Sequence, residues 1–291
     1  MRATFAPLSP PSFPTSRRCR GLFASTLTAL ALTACGGGGS DTVAPPPPSG
    51  TTPAADTAPI EGSSGTKALV VQIDGLTHAA LREALAAGRA PGLAGLTFAP
   101  AWTGGRNGTL SEQRTTAGPG WASLLTGTWA NRHGVRWDTT DQRIDASAPT
   151  FFALAHAGNP SAKASAVTSA SPYPALLAAD VQSGALANAV DCAGDDACVT
   201  QRATRAMLAG DALVRAQYSA PAAAAARAGL RTGDYDKAVT ATAAAVDTLL
   251  ATIARRRAND PRDDWLVIVT TGYGLDDFGS ATGLQLAANK T

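Results

Sequence analysis

The sequence has few aromatic residues and no excess of either charge. Aromatics make up 5% of the 291 residues, too few for the stacking platforms that bind single-stranded nucleic acid. Lys and Arg number 24 against 22 Asp and Glu. Four of those cations, Arg2, Arg17, Arg18 and Arg20, sit in a presequence, so the remainder is slightly acidic. A basic face that displaces phosphate counterions is therefore missing, and nucleic acid is not expected as a partner. Histidine is scarcer still. His78, His133 and His156 are the full complement, which limits any site that relies on imidazole. No apolar run reaches the roughly 20 residues of a membrane span.

What is present at the N-terminus is a targeting pattern. Arg17, Arg18 and Arg20 precede a short apolar stretch from Gly21 to Ala31, and Leu32-Thr33-Ala34-Cys35 follows. Those four residues resemble the lipobox of bacterial lipoproteins, in which the cysteine is lipidated. The simpler alternative is a secretory signal with a chance cysteine. Gly36 stands where inner-membrane retention would favour Asp, so outer-membrane sorting is expected. Residues 1–34 then form the signal peptide, and 35–66, rich in Gly, Pro and Ser, form a flexible tether. Residues 67–291 form one globular domain. Within it, Cys192 and Cys198 flank a short Gly-Asp loop. An oxidising compartment favours a disulfide there, with a metal site as the alternative.

The domain alternates strand and helix signals. Ala68 to Ile73 and Trp265 to Thr270 read as strands buried on both faces. Shorter strands are predicted at 164–169 and 212–217, and helices from Leu76 to Leu85, Phe151 to Ala157 and Val199 to Leu208. A longer helix is predicted from Tyr235 to Arg257, with three arginines at its C-terminal end and Pro261 beyond. This pattern predicts an α/β fold, a mostly parallel sheet with helices on both faces. Ligands in such folds gather at the carboxyl ends of strands, which singles out Asp74 and Thr271-Gly272-Tyr273. Pro119 suits the first turn of a helix, whose free N–H groups could receive an anion.

Three segments, Val71-Gln72-Ile73-Asp74-Gly75, Gly118 to Gly127 with His133-Gly134-Val135, and Asp264 to Thr271, resemble the alkaline phosphatase superfamily in its type I phosphodiesterase/nucleotide pyrophosphatase branch. They keep the family's order and cover most of 67–274. The resemblance implies an alkaline-phosphatase-like core, hydrolysis of phosphoesters, two zinc ions and a Ser or Thr nucleophile. Asp74 matches the first metal-binding Asp.

Other positions depart from the family pattern. Ala117 stands where the nucleophile is expected, which leaves Thr116 as a displaced candidate. Ala222 and Ala226 fall at the Asp-x-x-x-His pair, Gly272-Tyr273 at an Asp-His pair, and Asp138 at an Asn that helps hold the phosphoryl group. A carboxylate at 138 would repel an anionic substrate. The last His of the pattern would fall beyond Thr291, so a C-terminally shortened core is expected. One ligand does not hold zinc.

The reading is a lipid-anchored envelope protein that has lost catalysis, holds no zinc, and binds a phosphoester ligand or a protein partner. The alternative is an active metal-dependent phosphodiesterase or phosphatase. Asp74 could also simply cap the next helix. His133 is expected to make a structural hydrogen bond, His78 to lie at the surface and His156 to have no chemical role. Asp276-Asp277 could bind a cation but are expected to face water.

Overall fold

The computed structural model describes residues 59–62, 65–101, 103–106 and 108–275. The expected signal peptide at 1–34, Cys35 and Asp276-Asp277 lie outside them, as does most of the expected tether. Five parallel strands form one sheet: β1 (Thr66–Ile73), β2 (Ala164–Thr168), β3 (Asn188–Asp191), β4 (Leu213–Tyr218) and β5 (Asp264–Thr270). Their spatial order is β3-β2-β4-β1-β5. The connecting helices are α1 (His78–Ala86), α2 (Ala117–Thr126), α3 (Ala130–His133), α4 (Phe151–Gly158), α5 (Ala178–Ser183), α6 (Asp196–Leu208), α7 (Ala220–Ala228) and α8 (Gly233–Asn259).

The side-chain period of two sorts the strand residues onto two faces. Leu69, Val71, Ile73, Val167, Val214, Ala216 and Tyr218 join one core with residues of α1, α6, α7 and α8. Val70, Ala164, Ala166 and Leu213 join a second core with Trp121, Leu125 and Phe152 of α2 and α4. Helices α2 and α4, between β1 and β2, pack on the second face, and α6, α7 and α8, in crossovers running toward β5, pack on the first, the division that a single handedness of parallel crossovers requires. Helix α1 packs on the first face before the chain crosses to the second. The predicted α/β class, with helices on both faces, is the observed one.

Local signals explain most boundaries. Thr77 caps α1 and Thr232 caps α8, each accepting a backbone N–H from the first turn. Asp195 accepts two such N–H groups at the start of α6, three residues before the predicted start. Cys192 and Cys198 are disulfide-bonded across this entry. The alanine run forms α7, as alanine's propensity favours. Helix α8 is long and apolar enough by length and composition to cross a membrane. Its apolar stripe, including Val239, Val246 and Ile253, lies in the first core.

One expectation needs correction, and two features add to the reading. β5 is an edge strand rather than a buried one. Among the described residues it pairs only with β1, and Leu266 and Ile268 are exposed. β3 was not predicted, because its four residues are largely exposed and carry no apolar pattern. Ordered packing also begins before Lys67: the Glu61 N–H donates to Leu208 O at 2.7 Å, and β1 starts at Thr66.

A buried ionic cluster ties the amino ends of β1 and β5 to α8. Asp263 accepts from Lys67 Nζ at 2.8 Å and Arg256 Nε at 2.6 Å. The Arg256 guanidinium also donates to the carbonyls of Glu61, Met207 and Leu208. Burial alone would raise the Asp263 pKa, but the Arg256, Lys67 and Trp265 hydrogen bonds hold it below the usual carboxylate range. The unfolded chain therefore takes up this proton first, and the stabilisation is lost as pH falls below about 4. Asp263→Asn is expected to cost about 3–5 kcal/mol at neutral pH, by stranding two buried cations. Urea unfolding across pH should show the variant with a flatter acid limb than the parent.

Candidate functional site

The carboxyl ends of β1 and β4 carry a polar row on the second face. Gln72 and Asp74 of the β1 end alternate with the apolar Val71 and Ile73. Arg215 and Gln217 of β4 alternate with Val214, Ala216 and Tyr218. Gln72 lies beside Gln217 in the register, and Val70 beside Arg215. All four polar side chains are within a few percent of full burial.

Asp74 is the centre of this row. Its Oδ1 accepts from Gln72 Nε2 at 2.7 Å, and its Oδ2 accepts from Trp121 Nε1 at 2.9 Å and Gln217 Nε2 at 3.2 Å. Arg215 donates to Gln72 Oε1 and stacks on the Trp121 ring, 4.7 Å from its centroid. Burial pushes the Asp74 carboxyl above its ordinary range, against the pull of its three donors and the Arg215 charge. Burial likewise lowers Arg215 to about 10, while Asp74 opposes that shift. Asp74 does not cap the next helix, since Thr77 does.

This neighbourhood does not suit zinc. An indole N–H and amide N–H groups donate and cannot coordinate, and a guanidinium repels a cation. Ala222 and Gly272, two positions where the resemblance led to the expectation of ligands, are part of the backbone packing around Asp74. The Ala222 N–H donates to Asp74 O at 3.0 Å, and Ala226 is exposed on α7. A Cβ at Gly272 would stand 3.2 Å from both Gln72 Nε2 and Trp121 Cδ1, so an aspartate there needs the network to move. Tyr273 is buried, and burial raises its phenol well above the usual range. Among the described residues no three His, Cys, Asp or Glu side chains group as a metal site.

Helix α2 lies over the polar row. Its closest approach is at Gly120, where an added Cβ would stand 2.0 Å from Gly272 O; only glycine lets the helix reach this loop. Thr116 occupies the N-cap position, but its buried Oγ1 has no hydrogen-bond partner and caps nothing. The cap comes from Asp138, whose Oδ1 accepts the Gly118 N–H at 2.7 Å and the Tyr173 hydroxyl. The helix N-terminus thus already faces a carboxylate of its own chain, where the sequence suggested room for an external anion.

One arrangement went unread in the sequence. Ser123 Oγ lies 3.0 Å from His133 Nε2, and the Val135 N–H donates to His133 Nδ1 at 3.1 Å. The backbone donor occupies Nδ1, so the proton sits on Nε2 and points at the serine. Ser123 Oγ also accepts from Gln113 Nε2 at 2.8 Å, and the Ala130 N–H donates to Gln113 Oε1. This histidine cannot act as the serine's base, and the structural role expected of His133 is the observed one. Ser123 and His133 ten residues apart were the available signal. His78 opens α1 and His156 lies on α4, both partly buried.

No protein-family model and no curated protein matches the chain. Among solved structures it is similar to phosphonoacetate hydrolase from Sinorhizobium meliloti 1021, in complexes with phosphonoacetate and with phosphonoformate. The TM-scores are 0.42 and 0.40, at 16% identity. The alignments cover 65% of this chain and 54% of that chain, so the chain spans about half the length of these structures.

Burial lowers the His133 pKa to about 4, with a small contribution from Arg136. The unfolded chain takes up a proton near pH 6.5 that the folded chain refuses until about 4. Stability is therefore full above pH 6.5 and falls by about 3 kcal/mol across this window. His133→Gln, which cannot protonate, is expected to remove that slope in urea titrations at successive pH values.

Proposed function

We propose that this chain is a non-hydrolytic relative of the type I phosphodiesterases that acts by binding, held at the cell envelope through a lipid on Cys35. The observation that carries the reading is the engagement of both Asp74 oxygens by Gln72, Trp121 and Gln217, with Arg215 alongside. Zinc at Asp74 would have to displace neutral donors from a buried carboxylate and sit next to a buried cation. Neither Ala222 nor Gly272 offers a ligating side chain to offset that.

Without ions, the one cation of this set is Arg215, which is fully buried beside Asp74, against Gln72 and Trp121, and is poorly placed to stabilise the charge of a transferring phosphoryl group. Thr116 would need a base to become a nucleophile, and its hydroxyl has no hydrogen-bond partner among the described residues. The envelope assignment rests on the Arg17–Cys35 pattern. A disulfide between Cys192 and Cys198 suits an oxidising compartment.

Elemental mass spectrometry of the full chain after dialysis against trace zinc and manganese tests the loss of catalysis. The expected result is far below one ion per chain and no release of nitrophenol from bis(p-nitrophenyl) phosphate. A content of about two ions per chain with turnover would overturn the proposal. Detergent phase partitioning tests the anchor: the parent should enter the detergent phase and Cys35→Ser the aqueous phase. Equal partitioning would remove the lipid from the account.

A further inference from the structure

A cleft of about 280 Å³ lies beside α2, between the segment around Thr103 and Gln113–Thr115 and the carboxyl end of β5 at Thr270–Gly272. It is distinct from the Asp74 network, which α2 and Trp121 bury. We infer that this cleft binds a small monocarboxylate through Ser123, Thr103 and Arg114.

The first argument is the direction of a proton. Ser123 lines the cleft, and its Oγ accepts from Gln113 Nε2 and from the Nε2–H of His133. The Ala130 N–H fixes the orientation of the Gln113 amide, and the Val135 N–H fixes the His133 tautomer. Both serine lone pairs are thus used, and the hydroxyl must act outward as a donor. Among the described residues it has no acceptor for that proton.

The second argument is an unused donor. Thr103 lines the same cleft, is 8% exposed, and its Oγ1 is buried with no hydrogen-bond partner among the described residues. A buried hydroxyl left unpaired is costly, and a ligand acceptor would satisfy it.

Charge selects the ligand class. Arg114 lines the cleft, with its guanidinium 5.1 Å from the centroid of the Trp137 ring and no carboxylate paired to it among the described residues. Among the described residues no acidic side chain and no second cation line the cleft. One positive charge with two hydroxyl donors matches a single carboxylate. A phosphate dianion would leave one charge uncompensated. Leu124, Ala101 and Trp129 add apolar wall, so an organic acid with an apolar body fits better than a bare ion.

This inference stands apart from the loss of hydrolysis, because metal content is read independently of the cleft. The test is isothermal titration of the full chain with benzoate, benzamide and inorganic phosphate. Benzoate is expected to bind with a Kd below about 10 mM, and benzamide and phosphate at least about tenfold more weakly. Arg114→Gln, at an exposed residue, should weaken benzoate about tenfold, and the near-isosteric Thr103→Val severalfold. Absence of benzoate binding, equal binding of benzamide or phosphate, or unchanged affinity in both variants would overturn the assignment.

Discussion

The arrangement of the carboxyl end of the sheet depends on one buried charge and the groups that answer it. Asp74 directly follows the interior strand β1, and ionised it is tolerable there only because Gln72, Trp121, Gln217 and Arg215 surround it. Trp121 supplies one donor and also a face for Arg215, while its ring edge meets Tyr173 with centroids 5.6 Å apart. Helix α2 is thereby fixed over β1 and β4, close enough that Gly120 touches the Gly272 loop. Tyr173 in turn holds Asp138, which caps α2. The network joins two strands, a helix and two loops through side chains that each make more than one contact.

The same geometry gives Gly272, Ala222 and Asp138 structural roles. Gly272 leaves space for the Gln72 and Trp121 side chains that a larger residue would press against. Ala222 contributes a backbone N–H to Asp74 O rather than a side chain. Asp138 would repel an anionic substrate, yet it satisfies a helix N-terminus and a buried tyrosine hydroxyl. Gly272, Ala222 and Asp138 thus each have a structural partner around the Asp74 network.

Much of the fold was legible because its strands and helices obey simple periods. The apolar runs at Ala68–Ile73 and Trp265–Thr270, the C-terminal arginines and Pro261 that end α8, and the Gly-Pro-Gly-Trp helix start all read correctly as elements. The β5 run misled on burial, since an edge strand and a central strand carry the same residues until their neighbours are known. The polar network was half visible: Gln72 and Asp74, and Arg215 and Gln217, alternate within their strands, but reading those runs as apolar hid the row. The partnership of Ser123 with Gln113 and His133, and that of Asp138 with Gly118, join residues 10 or 20 positions apart across a turn or loop. Periodicity carries no information about contacts of that kind.

A double-mutant cycle between Asp74 and Arg215 tests most directly whether Asp74 is a structural charge rather than a metal ligand. The account predicts that Asp74→Asn alone costs about 3–5 kcal/mol in urea unfolding, by stranding Arg215. Asp74→Asn combined with Arg215→Met should recover a large part of that loss, and neither zinc nor a chelator should shift the parent's midpoint. Additive losses in the double variant, or a parent midpoint raised by zinc and lowered by chelation, would contradict it.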